Sequence, residues 1–258
     1  RFANQHWAVE GSLHGNQVDH LMSNFHLRKA PPSDARWRQN DASSRAAGYR
    51  VMAEFFTGNA VWRLGSDGQF DSHNSDITNP NNASFFVTNF NDARRQVVGL
   101  FGESEFRFGS DWQLLAGLRL NQVTSDAGEV DSSMIMMMPP VATLATRFND
   151  ADRNQRDSNV DWVLRSNWSP LEGWRFTGAL SRKTRSAAYQ ELFLWLPLQA
   201  TGGLADGYTY IGNLDLKSEK SAEIELGFDY ANDGFSLSPR VFYRDISNFI
   251  QGTPQVNP

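Results

Sequence analysis

Cysteine is absent from the 258 residues, which excludes disulfides and thiolate metal sites within this stretch. No apolar run approaches the roughly 20 residues that a membrane-spanning helix needs. A transmembrane β-barrel survives that absence, because its strands alternate and average to a polar composition. An excess of basic charge is missing too: the net charge is −5, against the basic face usual for a nucleic-acid binder. Histidine and methionine are scarce, at 5 and 6 residues, so their placement carries information. Catalytic signatures are lacking as well, with no Ser-His-Asp ordering, Gly-rich phosphate loop or HExxH motif. No enzyme activity is expected.

What is present is alternation with a period of two, the mark of a strand with unlike faces. Trp7, Val9 and Leu13 oppose His6, Glu10, Ser12, His14 and Asn16, and Tyr49, Val51, Ala53 and Phe55 oppose Arg50, Met52 and Glu54. Leu100 and Phe106 oppose Glu103, Glu105 and Arg107, and Trp112, Leu114, Ala116, Leu118 and Leu120 oppose Gln113, Arg119 and Asn121. The same pattern runs through Val160–Trp168, Trp174–Lys183, Glu223–Tyr230 and Phe235–Arg244. With a short run at Trp62 and Leu64, about nine strands are expected.

Connections alternate in length. Short turns stand at Gly58-Asn59, Gly109-Ser110-Asp111, 169–173 and 231–234, and long polar stretches at 27–44, 66–92, 125–155 and 185–217. Short turns on one side and long loops on the other characterise an outer-membrane barrel, with the long loops extracellular. Loops this long are unusual in compact soluble domains. Trp112, Trp168, Trp174 and Phe235 flank the short turns, where an interfacial aromatic girdle would lie. The expected fold is therefore all-β: part of an antiparallel transmembrane β-barrel, apolar face toward lipid and charged face toward a wet lumen. The carboxylates Glu54, Glu103, Glu105, Glu223, Glu225 and Asp229 read as the wall of that lumen, paired with Arg50, Arg107, Arg119, Arg165 and Arg175, rather than as hydrolytic pairs. Arg1 opens inside a strand-like pattern and Pro258 closes a polar tail, so residues 1–258 read as a partial domain.

Two stretches resemble the TonB-dependent receptors of gram-negative outer membranes. Ser181-Arg182-Lys183-Thr184-Arg185 followed by Tyr189-Gln190-Glu191-Leu192-Phe193 is similar to that family's basic run, Pro and "ELF". Gly212-Asn213-Leu214-Asp215-Leu216-Lys217-Ser218-Glu219-Lys220-Ser221, then Glu223 and Glu225-Leu226-Gly227, resembles its "GN-x-xLKPE-x-S…E-x-G" stretch. Ala187-Ala188 stands where Pro is common, and Ser218 replaces the usual Pro. The resemblance implies a 22-stranded barrel, a plug domain and C-terminal strands lying outside this sequence, and coupling to the TonB complex through that plug.

Three further stretches resemble the copper receptors within that family: Val18 to Phe25, Leu194 to Leu198 with Ala200 to Gly207, and Phe249 to Gly252. His20 and Met22 are two apart, so on a strand both leave the same face, the one that carries His6, His14 and Asn16. An imidazole and a thioether suit copper better than a hard cation. The resemblance implies that the pair binds copper together with Cys and Met from the plug. The blander reading makes Met22 a gap-filler and His20 a surface histidine. A second, weaker candidate is Met134, Met136 and Met138 beside Pro139-Pro140 in a long loop, a thioether cluster that either captures copper or packs the loop tip. Energy-coupled copper uptake across the outer membrane is the expected function. A siderophore or other metal-chelate receptor is the alternative, and a soluble β-rich binding domain the second alternative.

Overall fold

A computed structural model describes residues 2–27, 29–198 and 208–254. Eleven strands form one antiparallel sheet in which chain neighbours pair: β1 (Phe2–Ala3), β2 (Trp7–Ser23), β3 (Gln39–Thr57), β4 (Ala60–Asn79), β5 (Asn82–Phe108), β6 (Trp112–Asp126), β7 (Gln155–Trp168), β8 (Trp174–Arg185), β9 (Glu219–Asn232), β10 (Phe235–Leu237) and β11 (Arg240–Ser247). β10 and β11 continue one line along β9, since Leu237↔Tyr230 and Arg240↔Gly227 keep one register. Pro239 between them has no N–H to give to the ladder. The nine expected strands are all present, and β1 is the addition. Among the described residues, β2 beyond Val9 and the far side of β11 carry unpaired backbone edges, so the sheet is an open part of a barrel.

The two faces differ as a curved sheet requires. Leu100, Leu118, Leu226 and Val241 on one face are 52–65% exposed, an apolar wall open to lipid. Glu54 and Glu105 on the other are crowded by neighbours to 16% side-chain exposure. Aromatic pairs collect beside the short turns: Trp62 with Phe106 (5.1 Å between ring centroids), Phe108 with Trp112 (5.7 Å), and Trp174 with Tyr230 (4.7 Å). They form the girdle expected there.

Two expectations are corrected. Residues 66–92 are not a loop: β4 and β5 run on as a tall hairpin that turns at Pro80-Asn81. Above the lipid both faces of a strand meet water, so the alternation that marks a strand disappears while its hydrogen bonds continue. Bulges near His73 and Ser75, with Asp92 at φ 45°, mark where the hairpin bends. The remaining long connections contain helices that no expectation included. Pro139-Pro140 begins α1 (Pro139–Asp150), where the missing N–H groups cost nothing. Val141, Ala145 and Phe148 form its buried stripe. α2 (Tyr189–Phe193) buries Leu192 and Phe193. Together with Ile77, Val87, Phe90, Trp195 and Leu196 they build an apolar core at the long-loop end of the sheet.

Candidate functional site

The charged face is knitted by contacts across strands. Arg63 Nε donates to Glu54 Oε1 at 2.8 Å and its Nη1 to Glu103 Oε1 at 2.7 Å, joining β3, β4 and β5. Arg119 Nη1 donates to Asp67 Oδ2 at 2.7 Å and its Nε to Asn121 Oδ1 at 2.6 Å; Asn121 Nδ2 continues to Asp161 at 3.1 Å. Arg165 faces Glu225 at 3.7 Å, and Arg240 bonds Asp229 at 2.7 Å. Of the expected cations, Arg119 and Arg165 take part, Arg107 pairs with Glu105 on its own strand, and Arg50 lies over the Phe101 ring at 5.2 Å. Arg63, Arg240 and Arg244 were not anticipated, because pairing across strands depends on register.

His20 and Met22 sit on this inner face near the long-loop end, opposite Ala42 and Asn40 of β3. Both are exposed. Among the described residues β2 is paired there on the β3 side alone, and no group of three or more His, Cys, Asp or Glu that could hold a metal occurs. His14, lower on the same face, bonds Gln69 at 2.9 Å. His73 accepts from or donates to Ser44 Oγ at 2.7 Å and packs on Phe90 and Tyr189. Burial pushes the His73 imidazole pKa down. The loop methionines divide: Met134 packs against the loop core, while Met136, Met137 and Met138 are exposed. Their loop is rooted on β6 and β7, four strands or about 19 Å of sheet from β2, so the strands do not bring the two methionine candidates together.

Where β8 and β9 leave the wall, Arg185 forks between Glu219 (Nε to Oε2, 2.7 Å) and Glu191 of α2 (Nη1 to Oε2, 2.9 Å). Glu219 also accepts the Ile250 N–H at 2.7 Å, and Glu191 the Ala188 N–H at 2.7 Å. These Arg185 bonds hold the Glu219 carboxyl below the usual range. Above this clamp a cavity of about 290 Å³ opens between α1 and the β8–β9 connection, lined by Arg147, Phe148, Asp152, Trp195, Asn213 and Asp215. The stretch at Ala200 to Gly207 lies outside the described residues.

Comparison with known families decides the wider identity: the TonB dependent receptor-like, beta-barrel family matches residues 3–258. The chain belongs to the TonB-dependent receptor barrels. Its place is the outer membrane of gram-negative bacteria, and the family consists of receptors and transporters. Among solved structures, the copper transporter OprC shares 20% identity at a TM-score of 0.70, over 92% of this chain and 35% of that one. The ferric yersiniabactin uptake receptor FyuA from Yersinia pestis shares 12% at 0.58, over 95% and 34%. The ferric citrate transporter FecA shares 11% at 0.57, over 94% and 32%. The chain thus spans about a third of the length of these structures. No curated protein sequence matches it. At these identities the structural likeness speaks for the receptor barrel fold, and the TonB-dependent barrel end that carries His20, Met22 and the loop core is the face open to the cell exterior.

Proposed function

We propose that this barrel segment serves copper uptake, with His20 and Met22 as two ligands at the extracellular end of the lumen. The observation that carries the reading is that a soft thioether and an imidazole leave one inner face together, two residues apart, opposite Ala42 and Asn40 on the β3 side. The likeness to OprC supports it. Two donors leave a copper ion under-coordinated, so the remaining ligands come from the domain that fills the lumen, and release is driven through TonB. Met136 and Met138, exposed on the loop, with Met134 behind them, act as a weaker outer capture point.

A metal-chelate cargo is the second reading. It is favoured by the cavity beside Arg147, near the lower size of small-molecule sites, and by the likeness to FyuA and FecA. Copper content of the purified full-length receptor separates the two. His20→Ala and Met22→Ala should each lower copper affinity by about 10- to 100-fold, the loss typical even for residues that only support a metal ligand. Unchanged loading in both variants would end the copper site and leave the chelate reading.

A further inference from the structure

Most inner-face arginines that are paired find carboxylates across the wall; Arg182 and Lys220, neighbours on the outer face, do not. Arg182 on β8 stands in the outward row Leu118–Trp162–Arg182–Ala222. Lys220 on β9 is opposite Thr184, which makes it the diagonal neighbour of Arg182 on that face, within reach of long side chains. Among the described residues neither side chain makes a hydrogen bond or ion pair, and Asp245, opposite Ala222 on β11, pairs with neither. A guanidinium left without a counter-charge against lipid is costly, and its stem is long enough to carry the charge to a headgroup.

Height places the pair. Strands rise about 3.3 Å per residue and tilt about 40°, which gives roughly 2.5 Å of height per residue. Arg182 is eight residues along β8 from the girdle residue Trp174, about 20 Å up, and Lys220 is ten residues along β9 from Tyr230, about 25 Å up. The apolar band of an outer-membrane barrel is about 25 Å tall. Both cations therefore lie at the far edge of the band, level with the outer-leaflet headgroups. In the next row below them Leu164, Leu180 and Ile224 present a continuous apolar surface, each 41–43% exposed, along which an acyl chain can lie.

We propose that Arg182 and Lys220 seat the phosphate of one outer-leaflet lipid, with its acyl chains on the Leu164–Leu180–Ile224 wall. The chemistry is a phosphomonoester on an acylated headgroup: two neighbouring cations above an apolar surface match a charge attached to a chain, not a free anion.

The test uses the full-length receptor in detergent, titrated with bisphosphorylated lipid A and followed by native mass spectrometry. One lipid should bind, and Arg182→Gln with Lys220→Gln should weaken it about 25-fold, each cation near an anionic headgroup contributing about a fivefold factor. Heat-modifiable migration of the variant shows that the barrel has formed. Arg45→Gln, an outward cation across the sheet, should leave binding unchanged. Equal binding by the folded double variant overturns the proposal, as does equal binding of a dephosphorylated lipid A. Competition by inorganic phosphate at the same concentration as the lipid would make the site one for a free anion and overturns it too.

Discussion

Arg119 on β6 reaches Asp67 on β4 across the intervening strand because β5 offers only Gly99 beneath it. A Cβ at Gly99 would stand 2.7 Å from Arg119 Cζ and 2.9 Å from Asn121 Oδ1. The missing side chain is thus what lets a two-strand ion pair form. Gly48 plays the same part under the His14 ring on its way to Gln69.

Gly99→Val should therefore push Arg119 off Asp67 and leave both charges unsatisfied on a half-covered wall. The expected cost is about 1–3 kcal/mol, the usual range for a lost charge-assisted bond. Chemical unfolding of the barrel, followed by its loss of heat-modifiable migration, measures it. Gly102→Ala is the comparison, since only the flexible end of Leu64 lies near, at 3.1 Å. Equal midpoints for the two variants would refute the bridge.

The Arg185 clamp ties the β8–β9 connection to the strand ends. Arg185→Gln should speed amide hydrogen exchange at Ala188 and Ile250, whose N–H groups depend on Glu191 and Glu219. Exchange within β6 should be unaffected. Because the Glu219 carboxyl is held below its ordinary 4.5, the clamp's contribution is complete above that value and is lost as pH falls through the depressed one. Wild-type protection at Ile250 that already fails near neutral pH would contradict this.

His73 gives the docking of α2 a separate pH dependence. Burial holds its pKa below 6.5, so the unfolded chain takes up a proton that the folded one refuses. The His73–Tyr189 contact is then strongest above the ordinary histidine value and weakens as pH drops below it. Protection of the Leu192 amide, which donates to Ala188 O, should fall between about pH 7.5 and pH 5. His73→Phe keeps the packing and should flatten that response; the same slope in the variant would exclude His73 as its source.

Phe193, 1% exposed and 6.5 Å from the Phe148 ring in a T-shaped pair, links the two helices. Phe193→Ala should destabilise the loop core by about 3–5 kcal/mol, the cost of an aromatic-sized cavity. Limited proteolysis at the extracellular surface should cut the β6–β7 connection faster, while the barrel keeps its heat-modifiable migration. Unaltered cleavage would mean that the loops do not share one core.

Alternation by itself determined the membrane-spanning part: Trp7 against His14, Leu118 against Arg119, and Phe228 against Asp229 assign faces wherever one side of a strand meets lipid and the other water. Turn residues such as Gly109 and Gly173, both at positive φ, marked the short connections, and the aromatics beside them marked one interface. His20 and Met22 could be placed on the inner face by counting, since strand parity needs no knowledge of partners. Only the tertiary structure decided the rest. Above the lipid no solvent difference separates the faces, so the tall β4–β5 hairpin left no pattern to read. The helices in the long connections are stabilised by packing with Ile77 and Val87, far off in the chain, and not by a long amphipathic period of their own. The partners of Arg63, Arg119 and Arg185 follow from register and from bare glycines between strands, which a single chain read in order does not display.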